Sequence, residues 1–235
     1  MINKFFHQNF TINHYSNLAS TNDLSLELIG NNQAIKNQVI ITDIQTGGKG
    51  RFGRSWVSPM GNLYFSLILK TPKNIDFSNL SFLVAVALGE ALNLKEINYK
   101  WPNDILLSGK KIAGILLEKD GDFIVVGVGV NLISNPDKTN YPAGNLKDLG
   151  INLEKINLLK SFLDQFKNLQ QEWHDFGFLP IRNLWLEKAF HIGKEINVNL
   201  PDNSLKGIFK NLDKDGNLVL TVNNEEILIS SGEIS

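Results

Sequence analysis

Between residues 37 and 70 the chain passes from one β-prone segment to another through a glycine-rich stretch with no helix between them. NQVIITDIQ (37–45) leads into GGKGRFGRSWVSP (47–59), and that into NLYFSLILK (62–70). Gly48, Gly50 and Gly53 spell G-x-G-x-x-G, the spacing of a dinucleotide-binding turn. Asp76 stands roughly twenty residues further on, where such a motif keeps its acidic residue. That motif works only when a helix begins inside the glycine turn, so that its N-terminus receives the pyrophosphate. Here Arg54-Ser55-Trp56-Val57-Ser58-Pro59 follows, then Gly61 and a strand, and nothing in that order starts a helix. A P-loop is excluded because no G-K-[ST] closes the segment. What remains is a glycine loop between strands carrying Lys49, Arg51 and Arg54. Glycines let backbone amides approach a ligand, and arginine forks match phosphate or carboxylate oxygens. A solvated basic turn would have the same composition.

With a formal net charge of −1, the chain has no global basic field, so any grip on an anion must be local. Cysteine is absent, which excludes disulfides, thiolate chemistry and a cysteine zinc site. The four histidines, His7, His14, His174 and His191, have no metal-binding spacing. No apolar run reaches the ~18 residues of a membrane span, and MINKFFHQNFTINHYSN lacks a signal-peptide core. A cytoplasmic protein without membrane attachment is expected.

Periodicity and punctuation place the elements. STNDLSLELIG opens a helix, with Ser20 and Asp23 at capping-box spacing and Gly30 as its stop. Helices are predicted over 78–93, 152–177 and 179–190. Residues 97–132 read as a strand, a hairpin and a further strand turning at LSGK and KDGD, and 135–145 as a loop. From about Ile192 the pattern changes to short strands separated by PDNS, DKDGN and NNEE, a small all-β unit of roughly five strands. The expected fold is α+β, a mixed sheet with helices over residues 1–190 and a small β-barrel over 191–235.

Two further stretches are unusual. KWPNDILLSGKKIAGILLE (100–118) sets Trp101-Pro102-Asn103-Asp104 between strands, and Lys100, Asp104 and Lys111 could converge where the hairpin folds back. An ordinary turn with surface lysines reads equally well there. GVGVN (127–131) puts Gly127 and Gly129 inside an apolar strand, and Gly114 interrupts another; each marks a bulge or a close approach. Taken with the glycine loop, these resemble the biotin–protein ligase family, whose signatures look like G-R-G-R-x-G-R-x-W, K-W-P-N-D and G-x-G-x-N in this order. The resemblance runs from Ser20-Thr21-Asn22 to the terminal Gly232-Glu233-Ile234-Ser235.

The resemblance implies a class II synthetase-like catalytic domain with an SH3-like C-terminal barrel, and a two-step reaction. Biotin's carboxylate attacks the α-phosphate of ATP, giving biotinyl-5′-AMP and pyrophosphate; a carrier-protein lysine then takes the biotinyl group and AMP leaves. It implies Lys111, Arg51 and Asp104 as catalytic residues. Ser20, Thr21, Asn22, Gln45, Gly48, Lys49, Trp56, Lys111, Gly114, Gly127 and Gly129 would surround biotin. Arg51, Arg54, Lys100, Asn103 and Asn131 would face the phosphates of ATP. Mg²⁺ is expected through phosphate and water, with Asn131 and Asp104 available to it and no firm protein ligand set. Residues 132–146 resemble an adenine-side loop that orders on binding. The acceptor would be a biotin carboxyl carrier protein. Relatives pair through sheet edges, so a homodimer is open. A helix-turn-helix domain is missing, so no DNA binding is expected. The same superfamily contains lipoate and octanoate ligases and transferases, and a non-catalytic biotin-binding protein is the other alternative.

Overall fold

The computed structural model describes residues 3–70, 79–137, 139, 141–201 and 203–235. Asp76 and the predicted helix start at Ser78 lie outside the described residues. An eight-stranded sheet forms the centre of the molecule. Its strands are β1 (Asn3–His7), β2 (Phe10–Tyr15), β3 (Gln38–Thr42), β4 (Leu63–Lys70), β5 (Ile97–Lys100), β6 (Asp104–Leu107), β7 (Lys110–Asp120) and β8 (Phe123–Val130). They lie in the order β1-β2-β3-β4-β8-β7-β6-β5, and only the β2–β3 pair is parallel. The β5–β8 meander starts at the far edge and works inward until β8 pairs with β4.

Among the described residues, four α-helices pack around this sheet and on one another. On one face, α1 (Thr21–Gly30) packs with Ile29 against Ile68 and Val125. Its start is the predicted one: Ser20 Oγ accepts from the Asp23 N–H at 3.2 Å, satisfying a first-turn donor. The opposite face carries α2 (Leu80–Leu92) and α3 (Lys155–Phe176). Leu63, Phe65 and Leu67 of β4 point there, with the Phe65 ring 5.1 Å from Phe162 of α3. α2 is apolar almost all round because it is enclosed by the sheet, α3 and α4 (Leu179–Glu187).

Five antiparallel strands follow: β9 (Glu195–Asn199), β10 (Ser204–Leu212), β11 (Leu218–Val222), β12 (Glu225–Ile229) and β13 (Glu233–Ile234), ordered β12-β11-β10-β9-β13. The α+β class with a small C-terminal all-β unit is therefore the observed one. The sequence reading missed the β1–β2 hairpin. Only Phe10 and Ile12 of those strands are buried, so the edge hairpin carries little apolar alternation. The glycine loop contains no α-helix, but Arg51–Gly53 makes one 3-10 turn that was not anticipated. Among the described residues, no helix is long and apolar enough to cross a membrane.

Candidate active site

Register places one row of residues across the α1 side of the sheet. Tyr64 faces Gly129, Gly129 faces Gly114, Gly114 faces Asp104, and Asp104 faces Lys100. Directly opposed residues share a face, so two glycines form a floor with a carboxylate and an ammonium at one end. Above the row lies an open cavity of about 680 Å³. Its walls are the N-terminus of α1, the glycine loop, the Trp101–Asp104 turn, the segment after β8, and Asn199, Glu233, Ile234 and Ser235 of the C-terminal unit. The cavity is lined by five side-chain cations, Lys49, Arg51, Arg54, Lys100 and Lys111, against two side-chain carboxylates, Asp104 and Glu233. A chain of net charge −1 thus concentrates positive charge in one place.

Lys111 reaches this face through a β-bulge. Asp104 pairs with Gly114 but Leu106 pairs with Lys111, so the register shifts by one residue between Ile105 and Leu106. Without the extra residue, strict alternation would send Lys111 to the face opposite Gly114. The bulge also leaves the Lys111 backbone to the segment after β8: its N–H donates to the Pro142 carbonyl at 2.8 Å, and its carbonyl accepts from Gly144 N–H at 3.0 Å. The side chain is 15% exposed, with Nζ 2.7 Å from Asp104 Oδ1 but off hydrogen-bond alignment. The Tyr141 ring lies 4.8 Å and the Trp56 ring 5.4 Å from the ammonium, both within cation–π range.

Three of the other cations, Arg51, Arg54 and Lys49, are held by polar partners. Arg51 Nη1 donates to Asn103 Oδ1 at 3.2 Å, and Asn103 Nδ2 donates to the Ile115 carbonyl at 2.7 Å. Arg54 Nη1 reaches Glu233 Oε1 at 2.5 Å, tying the glycine loop to β13. Lys49 pairs with Asp23 of α1. Burial lowers the pKa of Arg51, countered by Glu233 and Asp104. It lowers that of Lys100 too, with Asp104 and Glu233 acting against it and Lys111 reinforcing it. Partly desolvated cations of this kind favour an incoming anion.

At the other end, a hydrogen-bond chain links Thr21, Gln45, Ser58, Ser66, Asn22 and Glu118. Gln45 Oε1 accepts from Thr21 N–H at 2.8 Å and from Thr21 Oγ1 at 3.1 Å, while its Nε2 donates to Ser58 Oγ at 2.9 Å. Ser66 Oγ lies 2.7 Å from Thr21 Oγ1 and 2.5 Å from Asn22 Oδ1, and Asn22 Nδ2 donates to Glu118 Oε2 at 2.6 Å. Ser66 and Glu118 escaped the sequence reading, although a lone serine inside the buried run LYFSLILK is a signal that could have exposed the first. Tyr141 and Glu233 were likewise not singled out as site residues.

All the residues singled out from the sequence line this cavity except Gly48, which is buried behind its wall. A Cβ there would lie 2.4 Å from the Trp56 carbonyl oxygen and 2.7 Å from Ser58 Oγ, so this glycine serves the loop's own close return. Asn22 has its amide committed at both ends. Asn131 Nδ2 donates to the Gly144 carbonyl at 3.0 Å, bracing the segment that grips Lys111. The space above Gly129 and Gly114 is filled by the Trp56 indole.

Comparison with known proteins identifies the arrangement. Residues 15–131 match the biotin/lipoate A/B protein ligase family, and residues 191–235 match the biotin protein ligase C terminal domain. A biotin--[acetyl-CoA-carboxylase] ligase of Paracoccus denitrificans is 37% identical over 193 residues, covering 75% of this chain and 80% of that one. The chain belongs to the biotin–protein ligase family. The bifunctional ligase/repressor BirA of Bacillus subtilis is 30% identical over 238 residues, 94% of this chain and 72% of that protein. A biotin protein ligase from Aquifex aeolicus, solved in complex with biotin and ATP, superposes with a TM-score of 0.86 at 25% identity, over 95% of this chain and 97% of that one. Ligase-family membership thus extends over both the helix-covered sheet and the C-terminal unit.

Proposed function

We propose that this protein adenylates biotin with ATP and passes the biotinyl group to a lysine of a biotin carboxyl carrier protein. The observation that carries the reading is that Lys111 and Arg51 line one cavity whose cationic side chains outnumber its carboxylate side chains five to two. The ligase relatives support the same reaction. In the first step a carboxylate oxygen of biotin bonds to the α-phosphorus of ATP, and the bond to the β-phosphate oxygen breaks with its electron pair. Two anions must meet, so the protein's task is charge stabilisation and positioning. Lys111 lies between them, and Arg51 and Arg54 hold phosphate oxygens. Arg54 must then exchange Glu233 for phosphate.

The ureido ring of biotin occupies the end lined by Ser20, Thr21 and Gln45. Among the described residues, the Ser20 hydroxyl accepts from Asp23 and keeps its hydrogen, and Gln45 keeps one amide hydrogen. Both are donors for the ureido carbonyl. In the second step the acceptor amine attacks the acyl carbon and AMP leaves. Among the described residues, no three His, Cys, Asp or Glu side chains gather to hold a metal. A Mg²⁺ ion enters this proposal with the triphosphate, held by phosphate and water oxygens, with Asp104 and Asn131 the protein oxygens near it.

The test is pyrophosphate release with ATP and either biotin or lipoate, followed by intact mass of an added carrier domain. Release with biotin and the gain of one biotinyl group are expected. Release with lipoate alone would overturn the assignment.

A further inference from the structure

Phe52 combines a bulky side chain with a backbone that suits small ones. It sits at φ 55°, ψ 37°, in the left-handed region that Gly and Asn enter most easily. Gly53 follows at φ 73°, and the Arg54 N–H closes the turn on the Arg51 carbonyl at 3.2 Å. Apolar burial does not explain the choice of residue, since Phe52 is 65% exposed. Its ring contacts the preceding residue: the Arg51 guanidinium carbon lies 4.7 Å from the ring centroid. Neighbouring side chains diverge in a helix and point to opposite faces in a strand. The left-handed step turns the ring back over its neighbour.

Arg51 is then fixed by two groups. Asn103 accepts from Nη1, and Asn103 is itself anchored on the Ile115 carbonyl of β7. The Phe52 ring supplies the second contact, through the attraction of a cation to an aromatic face. We infer that Phe52 is a positioning residue, an aromatic backstop that keeps the Arg51 guanidinium presented to the triphosphate. The inference rests on the reading that Arg51 holds ATP phosphates. It also accounts for an exposed aromatic side chain in residues 47–54, which are otherwise glycines and cations.

Phe52→Tyr, Phe52→Leu and Phe52→Gly separate the possibilities when adenylation kinetics, thermal melting and the Arg51 Nε–H NMR shift are measured on the whole chain. Tyrosine keeps the aromatic face, so its KM for ATP stays near that of the parent. Leucine and glycine raise KM for ATP about fivefold, as expected for loss of one cation–π contact, with KM for biotin unchanged. Glycine relieves the left-handed backbone, so that variant melts no lower than the parent and misfolding cannot explain its defect. The Arg51 Nε–H resonance carries an upfield ring-current shift in the parent and in Phe52→Tyr, and loses it in Phe52→Leu. An unchanged KM for ATP in Phe52→Leu would overturn the inference, as would a parent spectrum without the ring-current shift. A parent protein that releases no pyrophosphate with biotin and ATP would instead sink the ligase reading, and the NMR measurement would still decide whether the ring holds Arg51.

Discussion

A Cβ on residue 127 would lie 2.2 Å from Asn22 Oδ1, an atom already bonded to Ser66, while the other end of the same amide is bonded to Glu118. Asn22 cannot swing aside without losing both partners. Gly127→Ala should therefore cost about 1–3 kcal/mol by overpacking, read as a lower urea midpoint. It should also weaken biotin binding, because Thr21 and Gln45 belong to the same hydrogen-bond chain. Lys111→Ala is the complementary case. It removes the cation proposed to lie between the two reacting anions and should slow adenylation about 10²–10³-fold. Its backbone bonds to Pro142 and Gly144 survive, so the far-UV circular dichroism should not change. An unaffected pyrophosphate-release rate would remove Lys111 from the mechanism.

Elements are joined by charge as well as by apolar packing. Asp43, just beyond the end of β3, accepts from His14 of β2 at 2.7 Å and from Lys155 at the start of α3. Burial alone would raise its carboxyl pKa, but the hydrogen bonds from Lys155 and His14 outweigh that and bring it below the ordinary value. The folded state thus binds fewer protons at this site than the unfolded chain. The stabilisation is complete at neutral pH and fades as the pH falls through the native Asp43 pKa. Asp43→Asn should lose about 1 kcal/mol at pH 7, a value reduced for partial solvent exposure. The deficit should shrink toward zero in urea melts repeated at progressively acidic pH. A deficit that persists undiminished in acid would assign it to packing instead.

One large apolar core runs across both sheets, and only the smaller cluster under α1 lies apart from it. Trp185 of α4 lies 5.3 Å from the Phe82 ring, 6.1 Å from Tyr99 and 6.5 Å from Phe209 of β10. Polar contacts reinforce the junction: Arg182 Nε donates to the Leu212 carbonyl at 2.8 Å, and Trp101 Nε1 donates to the Gly216 carbonyl at 3.2 Å. A chain of 235 residues could unfold in stages. This junction predicts instead a single transition, with circular dichroism and tryptophan fluorescence coincident in urea. Phe209→Ala should cost about 3–5 kcal/mol and move both signals together. Two separated transitions would show that the C-terminal unit is an independent body.

Read without coordinates, the chain discloses whatever depends on near neighbours. The strand–glycine–strand order at 37–70, the Ser20 cap, the LSGK and KDGD turns and the change of character near Ile192 are all local patterns. Which side chains meet is a question of register, and register is set by partners far away in sequence. The row Tyr64, Gly129, Gly114, Asp104, Lys100 draws on five strands, and no spacing along the chain announces it. Lys111 joins that face only because one extra residue in β7 reverses its alternation, and Glu233 reaches Arg54 from 179 positions away. The sequence by itself determined most of the elements, the edge hairpin β1–β2 excepted, and the supply of cations; the pairing of strands decided that those cations share one cavity, because hydrogen-bonded register, not sequence distance, sets which side chains lie face to face.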